Sequence, residues 1–200
     1  MLRLRLSAAA AAVTAAALLT GAGSVTTASA QSTRFHDGSF EYPTAPANLF
    51  TPYFPGQLIG PWQVTDGAVD LIGAGTWQAA EGDQSVDLNG TGAVSQTFTT
   101  TPGAGYTVTY ALAGNPLDAP ALKTGKVLVD GQNVQDFSFD VTGKTYTAMG
   151  YVRRQLTFVA TNPTTTLTFA GTTGPTAPNG AVIDDVRVER GTPCSSCATP

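Results

Sequence analysis

From residue 106 to residue 113 the chain alternates without a break, Tyr106, Val108, Tyr110 and Leu112 on one side and Thr107, Thr109 and Ala111 on the other. A period of two marks a strand with one buried face, because successive side chains point to opposite sides of a sheet. The same phase returns where Leu156 and Phe158 flank Thr157, and where Leu167 and Phe169 flank Thr168. No stretch beyond the first thirty residues sustains a 3.6-residue period over three turns, which removes helical architectures. Strands are predicted at 35–41, 62–64, 69–72, 85–88, 93–100, 106–113, 126–129, 136–139, 153–159, 166–170 and 181–189. The segments 62–64 and 69–72 read as a hairpin across Thr65-Asp66-Gly67. Pro102-Gly103, Asp130-Gly131, Thr142-Gly143 and Asn179-Gly180 punctuate the intervals as turns. Short strands at regular spacing make an all-β sandwich or barrel.

Residues 1–30 stand apart. Arg3 and Arg5 precede an Ala/Leu/Val run over 8–19, and Ala28-Ser29-Ala30 places small residues at −3 and −1 of a cleavage point before Gln31. The run is shorter than the ~20 apolar residues of a membrane span, so it reads as an export signal and the protein as secreted, without membrane insertion. The remaining 170 residues suffice for one domain, placed at 31–191, with 192–200 as a flexible tail. Loss of Arg3 and Arg5 leaves eight basic against fourteen acidic residues, a net charge of −6. That balance excludes nucleic acid and anionic lipid as partners, since both demand basic patches, but not a neutral polymer. Cys194 and Cys197 in the tail suit a disulfide, within the chain or between two copies, in an exported protein. A thioredoxin-type site would need the first cysteine at a helix N-terminus.

In Val182-Ile183-Asp184-Asp185-Val186-Arg187-Val188, alternation puts Asp184 with Val182, Val186 and Val188, and Asp185 with Ile183 and Arg187. A carboxylate on an apolar face needs backbone donors, a cation, or a bulge that turns it out. Calcium is the hard, oxygen-liganded ion suited to extracellular space. Catalytic signals are thin. His36 is the single histidine, and G-x-S-x-G, H-E-x-x-H and phosphate-loop patterns are missing from the sequence.

Gly38-Ser39-Phe40-Glu41 and Ile183-Asp184-Asp185-Val186 resemble the opening and closing strands of galactose-binding-like jelly rolls, the fold of xylan- and β-glucan-binding modules. Between them, in order, come Trp62-Gln63-Val64, Trp77-Gln78-Ala79-Ala80, Ser85-Val86-Asp87-Leu88-Asn89-Gly90, Val94-Ser95-Gln96-Thr97-Phe98, Leu112-Ala113-Gly114-Asn115-Pro116 and Met149-Gly150-Tyr151. The series resembles the bacterial choice-of-anchor C family and the related plant cell-wall domains of unknown function. The resemblance implies a galactose-binding-like jelly-roll β-sandwich with a structural Ca²⁺ between the first and last strands. Glu41 and Asp184 are its expected ligands, with Asp37 and Asp185 secondary.

Sugars need flat apolar surface for ring C–H faces and planar polar groups for hydroxyls. Trp77, Tyr53 and Tyr151 are the candidate platforms, and Gln78, Asp87, Asn89 and Asn115 the candidate polar contacts. Trp62 reads as core and Gln96 as buried and hydrogen-bonded. The leading expectation is a non-catalytic module binding an extracellular or cell-wall polysaccharide. A structural or adhesive surface protein with a protein partner is the first alternative, a glycosidase or lyase the second.

Overall fold

A computed structural model describes residues 34–191 of the chain. The predicted export signal, residues 192–200, and with them Cys194 and Cys197, lie outside the described residues. Twelve strands follow one another: β1 (Phe50–Tyr53), β2 (Leu58–Ile59), β3 (Trp62–Asp66), β4 (Val69–Ile72), β5 (Ser85–Asp87), β6 (Ala93–Thr99), β7 (Gly105–Gly114), β8 (Leu122–Val129), β9 (Gln132–Asp140), β10 (Val152–Val159), β11 (Thr164–Gly171) and β12 (Ala181–Arg190). They form two six-stranded antiparallel sheets, ordered β1-β4-β5-β12-β7-β10 and β2-β3-β6-β11-β8-β9. The architecture is a jelly-roll β-sandwich, as expected.

The inward phases are those read from the sequence. Val108, Tyr110 and Leu112 from one sheet meet Trp62, Phe98, Val127, Leu167 and Phe169 from the other in one buried core. Trp62 is fully buried, and Gln96 holds the backbone of His36 at both ends, its Oε1 accepting the His36 N–H and its Nε2 donating to the His36 carbonyl, both at 2.9 Å. Asp130-Gly131, both at positive φ, turns β8 into β9 as a two-residue hairpin.

Three expectations are corrected. Residues 35–41 are not a strand, because Asp37 and Phe40 adopt φ of 48° and 57° and break the extended path. The segment lies against the sandwich instead, the Val186 N–H donating to the Gly38 carbonyl at 2.8 Å. The hairpin across Asp66-Gly67 is also not formed: β3 pairs with β2 and β6, whereas β4 pairs with β1 and β5. That turn carries the chain from one sheet to the other. Finally, residues 43–61, where no strand is predicted, hold β1 and β2, both at sheet edges, where Pro52 costs no ladder hydrogen bond.

Strand β12 carries a β-bulge between Asp184 and Arg187, with Asp185 at φ 45°. Before it, Val182 and Asp184 share the sheet face of Ala113 and Ala111, opposite to Ile183, and both are fully buried; beyond it, Val186 is buried in the core and Val188 packs on it.

Candidate functional site

The outward face of the first sheet is covered by three connections: residues 73–84 between β4 and β5, 115–121 between β7 and β8, and 141–151 between β9 and β10. What holds the first of them decides the shape of the site. Asp184 Oδ2 accepts the N–H groups of Ala80 (2.7 Å) and Glu81 (3.0 Å), and its Oδ1 accepts that of Asp185 at 2.5 Å. Glu41 Oε1 accepts the N–H groups of Asp83 and Gln84, both at 2.9 Å. Gly82, between these donors, has φ 61°, and a Cβ there would stand 2.3 Å from Glu41 Oε1, so only glycine fits. Two carboxylates thus rivet one loop to the sandwich. Burial pushes the Asp184 carboxyl up to about 7 despite its three donors. The riveted loop sets Trp77 over the sheet, its Nε1–H donating to Ser85 Oγ at 2.8 Å and its ring 5.9 Å from that of Tyr146.

Beside Trp77 opens a cleft of about 480 Å³, a size typical of small-ligand sites. Its apolar walls come from Leu49, Phe50, Ile72, Trp77, Leu117 and Tyr146, and its polar groups from Asn48, Asp70, Thr76, Asn115, Asp118 and Asn179. Beneath the polar side lies a buried network. Asp87 Oδ1 accepts the N–H groups of Asn89 and Gly180, both at 2.9 Å, while Asn115 Nδ2 donates to Asp87 Oδ2 at 2.7 Å and to Asn179 Oδ1 at 2.9 Å. Asn179 Nδ2 donates to the Leu117 carbonyl and to Asp118 Oδ2. The fully buried Lys123 closes the network, its Nζ donating to the carbonyls of Asp118 and Asn179 at 3.3 Å. Burial pushes the Asp87 carboxyl up to about 6 and pulls the Lys123 ammonium below its ordinary value, with Asp87 and Asp118 resisting the second shift. These bonds fix the Asn115 and Asn179 amides at the cleft wall, so a ligand meets a preformed surface.

The family model described as "Protein of unknown function (DUF642)" matches residues 33–189. The chain belongs to the DUF642 family. That match falls on the domain-of-unknown-function side of the resemblance drawn from the motif series. This DUF642 chain is also 27% identical over 179 residues to Halomucin of Haloquadratum walsbyi (strain DSM 16790 / HBSQ001), the alignment covering 86% of the chain and only 2% of Halomucin. Among solved structures it is similar to the CBM22-1 xylan-binding domain of Paenibacillus barcinonensis Xyn10C (TM-score 0.47, 15% identity, 74% of this chain and 96% of that one). It is similar too to a CBM35 from Paenibacillus barcinonensis (TM-score 0.44, 17% identity, 70% and 98%). A family 35 carbohydrate binding module from Clostridium thermocellum gives a TM-score of 0.42 at 11% identity, with 70% and 90% covered.

The residues expected at a sugar site do not form one site in the DUF642 chain. Trp77 and Asn115 line the cleft, and Asp87 supports it from below. Asn89 lies behind the lining, its side chain hydrogen-bonded to Asp70. Gln78 and Tyr151 line a separate hollow of about 400 Å³ with Ala80, Gly150 and Arg153. Tyr53 is partly buried on β1 and packs against the core. Asp70, Asp118, Tyr146 and Asn179 also line the cleft and are not among the residues the sequence points to. Asp70 carried a usable signal, since Val69 and Leu71 flank it in phase as inward residues. In the sequence Asn179 is visible only as a turn residue, and Tyr146 lies where no periodicity points to it.

The expected calcium ligands do not fit a calcium cage in this arrangement. Glu41 and Asp184 already accept five backbone N–H groups between them. Asp185 is ion-paired with Arg153 and Arg187 at 2.5 and 2.8 Å, which repels a dication. Asp37 Oδ1 accepts the Glu41 N–H, leaving its Oδ2 as one buried oxygen without a hydrogen bond, against the six to eight oxygens that calcium takes. No group of three or more His, Cys, Asp or Glu able to hold a metal occurs among the described residues. Thermal melts with and without a chelator should therefore agree within about 1 °C; a loss of several degrees on chelation would restore the ion, because a ligand of the folded state alone must stabilise it.

Proposed function

We propose that the cleft binds an extracellular glycan without transforming it. One observation carries the reading: an apolar rim of Leu49, Phe50, Leu117 and Tyr146 stands over planar amides and carboxylates whose orientation is fixed from beneath. Sugar rings present the complementary pattern, C–H faces for aromatic side chains and hydroxyls for amides and carboxylates. The buried carboxyl of Asp87 is 1% exposed and wrapped by three donors, which suits a support and not a proton carrier to substrate. Residues 1–30 support export, and the choice-of-anchor C kinship and cell-wall association belong to the same proposal.

Tyr146 is the variant of choice, since it is 40% exposed whereas Trp77 is 8% exposed and tied to Ser85. Tyr146→Ala is expected to weaken retention on polysaccharide roughly tenfold, the loss of ~1–2 kcal/mol that a stacked aromatic contributes, with an unchanged melting curve. Affinity electrophoresis against soluble polysaccharides and pull-downs with insoluble ones measure this. Retention of the variant equal to the parent's moves binding away from the cleft; release of reducing ends from the bound polymer replaces binding by hydrolysis.

A further inference from the structure

The lining of the cleft is charged in one sense only. Asp70 and Asp118 reach it, and among the described residues no lysine, arginine or histidine does. Lys123 lies beneath, fully buried, and its Nζ is spent on the carbonyls of Asp118 and Asn179. Lys144 is the basic side chain at the neighbouring hollow with Pro116, Leu117 and Tyr146, and its Nζ lies over the Phe139 ring, 5.8 Å from the centroid.

Both lining carboxylates keep acceptor capacity. An ionised carboxylate accepts about four hydrogen bonds. Asp70 receives one from the Asn89 side chain, and Asp118 Oδ2 one from Asn179 Nδ2. Burial raises the Asp70 carboxyl above its ordinary value, so its negative charge is incompletely solvated and gains from an incoming donor. A primary ammonium brings three donors and the opposite charge. An N-acetyl group brings one donor and no charge, and a uronic carboxylate brings only acceptors and a like charge, which costs affinity where no cation answers it.

We infer that this cleft sorts glycans by charge, accepting a sugar with a free amine, such as a glucosamine unit, ahead of its N-acetylated counterpart and rejecting uronic acids. The inference rests on the glycan reading of the same cleft and adds the substrate class. It places the two aspartates as specificity residues, with Tyr146 and the fixed amides common to every sugar bound.

Titration of the intact chain with soluble oligomers of glucosamine, N-acetylglucosamine and galacturonate of equal length tests it. Glucosamine oligomers should bind roughly tenfold more tightly than the N-acetylated ones at low salt, with no saturable binding of galacturonate oligomers. The preference should shrink in about 1 M salt, where charges are screened beyond ~3 Å. Asp70→Asn and Asp118→Asn should each narrow it, glucosamine binding weakening more than N-acetylglucosamine binding, with the melting curve retained. Galacturonate binding as tight as glucosamine binding overturns the charge selection and leaves the glycan reading standing. A preference that neither variant narrows overturns the assignment to these aspartates. Binding of no oligomer of the three, on a folded protein, sinks the inference, and the polysaccharide retention measured for Tyr146→Ala then decides separately whether the glycan reading falls with it.

Discussion

Replacing Asp184 by alanine is expected to lower stability by about 2–4 kcal/mol and the melting midpoint by roughly 5–15 °C. The carboxylate accepts three backbone N–H groups, from Ala80, Glu81 and Asp185. Losing the acceptor leaves each donor to find water or go without, at about 1–3 kcal/mol for a buried one. Ala80 and Glu81 are exposed residues whose amides can turn to solvent if the loop lifts, which keeps the total below the sum of three full penalties. Lifting the loop also displaces Trp77, so indole fluorescence should shift before the cooperative transition. Asp184→Asn separates charge from shape: its carbonyl can still accept from Ala80 and Glu81, and the expected loss is smaller.

The same group has a defined pH signature. Its carboxyl is raised from 3.8 to about 7 in the folded chain, so the folded state holds this proton more tightly than the unfolded one. Its contribution is therefore complete below about pH 4 and is lost as pH rises through about 7. Parent midpoints should fall over that window, and the Asn variant should flatten the fall. An alanine variant that melts within 2 °C of the parent, or a parent curve that rises steadily from pH 4 to 7, would remove Asp184 from this role.

Trp62→Ala is expected to cost about 3–5 kcal/mol, the range for deleting a large aromatic from a packed core. The ring is fully buried against Phe40, Phe35 and Phe169, with centroids 5.0, 5.7 and 6.1 Å away. Its Nε1–H donates to the Asp37 carbonyl at 2.8 Å, fastening a segment that has no ladder bonds of its own. Limited proteolysis should therefore cut the alanine variant within residues 34–41 at temperatures where the parent resists. Trp62→Phe keeps most of the packing and loses the hydrogen bond, and should fall between the two. If the alanine variant keeps the parent's protection, the bonds to Gln96, Val186, Asp83 and Gln84 hold the segment without Trp62.

Alternation made the sandwich legible because one buried face per strand imposes a period of two, which β11 obeys throughout, β7 over its first half and β10 from Leu156 to Val159. Phase says which way a side chain points, not which strand it meets. Asp66-Gly67 looks the same at a hairpin and at a change of sheet, and only the partners of β3 and β4 distinguish them. Asp184 shows the other half of the lesson. Its misplaced charge called for donors, a cation or a bulge, and the chain supplies donors and a bulge together. The cleft was the least legible part. Asp70, Tyr146 and Asn179 come from three separate connections or strands, and each is unremarkable in its own neighbourhood.

The bulge in β12 makes the two ends of one strand opposite in parity. Even-numbered residues look outward up to Asp184, and even-numbered Val186 and Val188 look inward after it. Were β12 to run through Asp185 without the bulge, strict alternation would turn Arg187 toward the core and expel Val186 and Val188. The one extra residue is therefore what lets a single strand anchor a loop with its first half and close the core with its second.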